Sequence, residues 1–152
     1  MTALKLAVLR HGPTLWNSDG RIQGRSDIPL SAEGRAMVAT WRLPAEIQDF
    51  DVITSPLRRA RETAEILGFP DALSDTRLVE TDWGAWEGAR LADLRQDGGA
   101  DFLFAEAQGL DFTPPGGESP RMVQHRLQPL LAELAVKSRP CLLISHKGII
   151  RA

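Results

Sequence analysis

One cysteine in 152 residues, Cys141, excludes an intrachain disulfide. Its place in the apolar run Cys141-Leu142-Leu143-Ile144 reads as that of a small buried hydrophobe. No apolar stretch approaches the roughly 20 residues that cross a bilayer as a helix. Nothing near Met1 resembles a signal peptide, because Met1 leads almost directly into an apolar segment. A cytoplasmic address is therefore expected, with no membrane partner. The formal net charge of −2 offers no basic surface for nucleic acid. The Gly-x-Ser-x-Gly elbow of a serine hydrolase is missing, as is any histidine–carboxylate spacing suited to a metal. Repeats, low-complexity tracts and linkers are absent too. What remains, 43% hydrophobic and 25% charged, is an ordinary globular composition, and residues 1–152 read as one domain.

Within that composition, apolar runs keep ending in polar residues. Leu4 to Leu9 reads as a buried strand that stops at Arg10-His11-Gly12, and Asp51-Val52-Ile53-Thr54 as a second strand. Arg77-Leu78-Val79 reads as a third, ending at Glu80, and Cys141 to Ile144 as a fourth, ending at Ser145-His146. Helical patterns lie between them. Ser31 caps one running to about Leu43, and Ser55-Pro56 offers an N-cap and first residue for another. Leu91 to Arg95 and Phe102 to Ala107 read as two short helices. Ser119 caps a long one to about Lys137, with Val123, Leu127, Leu130, Leu131 and Leu134 as its apolar stripe and a bend expected at Pro129. Strands alternating with helices predict an α/β fold, a three-layer α/β/α sandwich around a mainly parallel sheet.

In such sheets ligands bind beyond the carboxyl ends of the strands. The tips and following turns there carry Arg10, His11, Arg59, Glu80 and His146. Arg58 and Arg59 oppose the positive end of their helix dipole, so their charge reads as wanted for an anion. Two arginines and two histidines around one carboxylate form an anion pocket with a nucleophile and an acid, the inventory of phosphoryl transfer. His11 would attack phosphorus through a neutral ring nitrogen, kept unprotonated by neighbouring cations. Its other nitrogen would donate to a backbone carbonyl. Glu80 would protonate the leaving oxygen and then activate water, which requires a raised pKa. The glycine at position 12 would let phosphate approach the backbone. His125, beside Pro129, reads as a surface or packing residue.

These residues resemble the histidine phosphatase superfamily, the phosphoglycerate mutase-like proteins. Arg10-His11-Gly12-Pro13-Thr14 with Asn17 is similar to its signature Arg-His-Gly-x-Thr-x-x-Asn. The likeness continues through Pro29-Leu30-Ser31 with Gly34, Ser55-Pro56-Leu57-Arg58-Arg59-Ala60, and Glu62-Thr63-Ala64. Glu80, Gly84, Trp86, Glu87 and Gly88 follow, then Pro115-Gly116-Gly117-Glu118-Ser119 and Ser145-His146 with Gly148. The resemblance implies a phosphoglycerate mutase-like fold and a cofactor-free phosphomonoester hydrolase. It implies His11 as nucleophile, Glu80 as proton donor, and Arg10, Arg59 (chosen over Arg58) and His146 as the phosphate pocket. Asn17, Gln23, Gly24 and Lys147 would contact phosphate or substrate, and no metal is expected.

Two departures from the pattern stand out: Lys147 replaces a common glycine, and the chain stops at Ala152, short of the helix and strand that usually follow. A truncated chain, or a homodimer in which another copy covers the gap, is the expectation. The compact Glu80-to-His146 connection favours a phosphatase acting on a small phosphorylated metabolite. A phosphoglycerate mutase is the first alternative and an inactive phospho-ligand binding domain the second. Trp83, Trp86, Arg90, Arg95, Phe102, Phe104 and Phe112 are expected to border the substrate pocket.

Overall fold

The computed structural model describes residues 4–152, and its four strands form one parallel sheet. Strands β1 (Leu6–Arg10), β2 (Asp51–Thr54), β3 (Leu73–Ser74) and β4 (Cys141–Ser145) lie in the spatial order β1-β4-β2-β3. Helices α1 (Leu15–Ser18), α2 (Ala32–Thr40), α3 (Arg58–Ile66), α4 (Leu91–Glu106), α5 (Pro120–Lys137) and α6 (Lys147–Arg151) flank it.

Strand β4 is paired on both sides, and all five of its residues are buried. Its side chains alternate between two cores, as the period of a strand requires. Cys141 and Leu143 pack with Val123, Leu127, Leu130 and Leu134 of α5 and Ile149 of α6. Leu142 and Ile144 pack with Ala60 and Ala64 of α3, whose small side chains let the helix lie close to the sheet. Helices on both faces give the expected three layers. Truncating a central residue such as Leu143 to alanine would cost about 2–5 kcal/mol.

Several local expectations change. Arg77-Leu78-Val79 is not a strand: Thr76–Leu78 is a 3-10 turn, because the Asp75 carboxylate accepts the Arg77 amide at 2.8 Å and curls the chain. The third strand is the two-residue Leu73–Ser74 just before it. β1 is an edge strand with one open face, on which Leu6 and Val8 are 38% and 46% exposed, so it is only half buried. Ser55 does not cap α3, which begins at Arg58; there the Asp27 carboxylate accepts the Arg58 amide at 2.7 Å, a cap supplied from a distant loop.

Helix α2 stops at Thr40 rather than near Leu43, where Trp41 turns to extended backbone. Helix α4 breaks at Gly99 (φ 50°, ψ −131°), so the two expected short helices abut as arms of one element. Helix α5 runs on through Pro129, and Leu131 of its expected stripe is exposed.

Candidate active site

The sheet register brings two histidines together. Arg10 at the end of β1 pairs with Ser145 at the end of β4, and the His11 amide donates to the Ser145 carbonyl at 3.0 Å. His11 and His146 therefore both stand one step past level strand ends, with ring centroids 5.1 Å apart. Thr54 pairs with Ile144, and the Ser55 amide donates to the Ile144 carbonyl at 2.9 Å, which sets Ser55 beside the same tips.

His11 is buried, and its Nδ1 lies 2.6 Å from the Gly12 carbonyl, so Nδ1 carries the proton and Nε2 keeps its lone pair. Burial pushes its pKa down to about 3, and the Arg59 and Arg10 charges push the same way against the Gly12 carbonyl. Burial outweighs the cations that the sequence reading had credited. Gly12 also has a packing reason. A Cβ there would collide with Val38 Cγ2, so its missing side chain admits α2.

Arg59 and His146 are completely buried and lie beneath the open cleft rather than along its wall. The two terminal nitrogens of Arg59 each donate at 2.8 Å, to the carbonyls of Ser26 and Gly24. Burial lowers the Arg59 pKa to about 10, with Glu80 the largest opposing charge. Its neighbour Arg58 is exposed and pairs with Glu62. His146 Nε2 lies 2.7 Å from Ser55 Oγ, and its pKa is driven down by burial and by Arg59. Among the described residues, Arg59 Nε and His146 Nδ1 are buried with no partner. Leaving such atoms unsatisfied costs about 1–3 kcal/mol each, a cost that a bound anion would remove.

Glu80 sits past the 3-10 turn rather than at a strand tip, yet it reaches the same cleft. Burial raises its pKa despite the Thr81 amide at 2.8 Å, the Gly148 amide at 3.4 Å and the Arg59 charge. That is the direction a proton donor requires. The loop carrying Glu80 hangs from α5: the Arg126 guanidinium donates to the carbonyls of Arg77, Val79 and Glu80 and pairs with Glu118 at 3.0 Å.

The cleft above these groups encloses about 460 Å³ and is lined by Arg10, His11, Asn17, Gln23, Gly24, Glu80 and Lys147. Thr14 orients two of them. Its hydroxyl lies 2.7 Å from Gln23 Oε1 and its amide donates to Asn17 Oδ1 at 3.0 Å, which turns both side-chain NH₂ groups away as free donors. Of the expected border residues, Trp83, Arg95, Phe102 and Phe112 line the cleft, whereas Trp86, Arg90 and Phe104 do not. Trp86 instead stacks behind them, 5.0 Å from Phe102 and 5.7 Å from Phe112. Arg151 and Leu91 also line it.

The supporting contacts of Thr14, Ser55 and Arg126 are not visible in the sequence. Ser55 was absorbed into a capping signal, and Arg126 carried no local signal. Among the described residues no helix is long and apolar enough to cross a membrane, and no three His, Cys, Asp or Glu side chains gather as a metal site.

Comparison with known proteins points to one family. The chain is 38% identical to glucosyl-3-phosphoglycerate phosphatase of Mycobacterium tuberculosis, over all of this chain and 74% of that protein. A probable phosphoglycerate mutase of Klebsiella pneumoniae is 35% identical over 94% of this chain and 69% of its own length. Among solved structures, mycobacterial glucosyl-3-phosphoglycerate phosphatase in complex with VO3 superposes with a TM-score of 0.82 at 37% identity, covering 97% of this chain and 78% of that one. Phosphoglycerate mutase from Thermus thermophilus gives 0.80 at 38% identity, covering 96% and 80%. The family model of the histidine phosphatase superfamily (branch 1) matches residues 6–152, and the chain belongs to that superfamily.

Proposed function

We propose that the chain is a phosphomonoester hydrolase that works through a phosphohistidine on His11. One observation carries this reading: a neutral His11 and a Glu80 carboxyl of raised pKa face the same cleft. The His11 Nε2 lone pair bonds to phosphorus as the ester P–O bond breaks, and Glu80 gives its proton to the leaving oxygen. The ring then carries positive charge, which the Gly12 carbonyl stabilises through Nδ1–H. Glu80, now a carboxylate, takes a proton from water as the water oxygen bonds to phosphorus. The N–P bond breaks, and phosphate and neutral His11 are restored. Arg10, Arg59 and His146, with Asn17 and Gln23, would hold the phosphoryl oxygens, supported by the two unpartnered buried nitrogens.

The relatives named for glucosyl-3-phosphoglycerate and the Trp83, Phe102 and Phe112 wall make a sugar-acid phosphate the first substrate to try. Gly24 and Lys147, also on that wall, would contact its non-phosphate part. A cytoplasmic setting accords with the buried free thiol of Cys141. The open Leu6 and Val8 face of β1 supports a homodimer, which a monomeric sedimentation mass would rule out.

Hydrolysis of an aryl phosphate by wild type but not by His11→Ala, with an acid-labile, base-stable phosphoenzyme, is the expected result. Equal rates in the two proteins would overturn the mechanism. Isomerisation of a phosphoglycerate faster than its hydrolysis would favour a mutase instead.

A further inference from the structure

His146 has one satisfied ring nitrogen and one orphan. Nε2 lies 2.7 Å from Ser55 Oγ, and both residues are completely buried. Nδ1 is buried with no partner among the described residues, in a ring whose centroid is 5.1 Å from that of His11. Which nitrogen bears the proton decides what His146 can do. A proton on Nδ1 makes that orphan a hydrogen-bond donor, able to hold a phosphoryl oxygen. A proton on Nε2 leaves a lone pair at Nδ1, which would repel the same oxygen.

The surroundings of Ser55 decide between the two. Its hydroxyl has one hydrogen, and one of its lone pairs already faces the Leu57 amide at 3.3 Å. Among the described residues the only other polar side-chain atom it meets is His146 Nε2, and no carbonyl accepts its proton. A hydroxyl with an amide proton on one side and a ring nitrogen on the other is best satisfied by accepting from the first and donating to the second. Nε2 is then the acceptor, and the ring proton goes to Nδ1. Burial, and after it the Arg59 charge, disfavours a second proton on the ring, so the imidazole does not evade the choice by charging.

We infer that Ser55 is a positioning residue that fixes His146 in the Nδ1–H tautomer, converting a neutral buried imidazole into a donor aimed at a phosphoryl oxygen. The inference rests on the phosphatase reading only in naming that oxygen; the tautomer itself follows from the Ser55–His146 contact. It also gives Ser55 a purpose that helix capping does not, since α3 starts three residues later, at Arg58. Neutrality is useful here. A histidine that donates without titrating holds its grip across the pH range in which Glu80 exchanges its proton.

The test begins with the wild-type protein and long-range proton–nitrogen NMR on ¹⁵N-histidine-labelled material. Three histidines give three ring patterns, and loss of one in His146→Asn assigns it. The Nδ1–H pattern is expected for His146, and an Nε2–H pattern in the wild type would overturn the inference without any variant having to fold. Ser55→Ala should then convert His146 to the Nε2–H form or a mixture and weaken inorganic phosphate binding by about tenfold, the worth of one ordinary hydrogen bond. Ser55→Thr, which keeps the hydroxyl, should restore both. An unchanged tautomer in Ser55→Ala, or a changed tautomer with unaltered phosphate affinity, would defeat it. Failure of the phosphatase reading shows separately, as equal hydrolysis by wild type and His11→Ala.

Discussion

Glu87 holds Arg59 without touching it. Its carboxylate accepts from the Arg25 amide at 2.7 Å and from the amide and hydroxyl of Ser26 at 2.9 and 2.7 Å. The Gly24 and Ser26 carbonyls of that same loop clamp the two ends of the Arg59 guanidinium. Gly24 sits at φ +50°, and a Cβ there would collide with Glu87 Oε1, so the clamp closes only over a glycine.

Glu87→Ala should therefore act as a phosphate-site defect at a distance. With the loop amides released, Arg59 loses its orientation. KM for an aryl phosphate should rise about tenfold with a smaller change in kcat, and the variant should lose about 1–3 kcal/mol of stability from unpaired amides. Steady-state kinetics with urea unfolding check both effects. A normal KM would show that Arg59 holds its place without the loop.

The directions of the two pKa shifts set a pH profile. In the proposed mechanism His11 must be unprotonated, and it is pushed down to about 3, whereas Glu80 must be protonated, and it is pushed up from its ordinary value. In the free enzyme, kcat/KM should thus hold its value far below pH 6.5 and fall on the alkaline side as Glu80 ionises. An acid limb near pH 6.5 would mean that burial does not keep His11 neutral. Glu80→Gln should flatten the alkaline limb.

Arg126 offers a way to misplace the proposed acid, Glu80, while leaving the proposed nucleophile, His11, alone. Its planar fork spans three carbonyls of the Glu80 segment and the Glu118 carboxylate, a geometry that a lysine ammonium cannot reproduce. Arg126→Lys should slow hydrolysis of an alkyl phosphate, whose leaving oxygen needs a proton, by about 10²-fold. An aryl phosphate, with its better leaving group, should lose far less in the first step. Rapid-quench measurement of phosphoenzyme formation on the two substrates separates the outcomes, and equal losses would place Arg126 elsewhere in the mechanism.

What the sequence disclosed followed the periodicity of its elements. β4 and α5 were legible because a short continuous apolar run and an apolar stripe beginning at a serine cap leave few other readings. His11 and His146 were legible for the same reason, since strand tips in a parallel sheet share an edge. The turn before Glu80 was not. Three consecutive residues with two apolar side chains look like a short strand, and only the Asp75 carboxylate folding back on the Arg77 amide makes them a turn. Ser55 was misread because Ser-Pro before a helical pattern fits capping locally, whereas its true partner lies 91 residues away. The Arg126 contacts with the Glu80 segment were likewise beyond reach, being set by where α5 crosses the loop rather than by neighbours in sequence.

Glu80 should also cost the protein stability in exchange for its role. Below the ordinary glutamate pKa of 4.5 its carboxyl is protonated in both folded and unfolded chains, and burial exacts no charge penalty. As pH rises, the unfolded chain releases the proton first while the native state retains it. The stability linked to Glu80 is then lost progressively until the native pKa is passed. Glu80→Gln stays neutral throughout. Its melting temperature should match wild type near pH 4 and exceed it above neutrality by on the order of 2–4 °C, the effect of roughly 1 kcal/mol in a chain of this size. The two buried histidines destabilise both proteins equally as pH falls below 6.5, so they cancel from the difference. Paired calorimetric scans from pH 4 to 8 would show the gap opening with pH. A gap independent of pH would mean that the gain came from packing rather than from a carboxyl held above its ordinary pKa for catalysis.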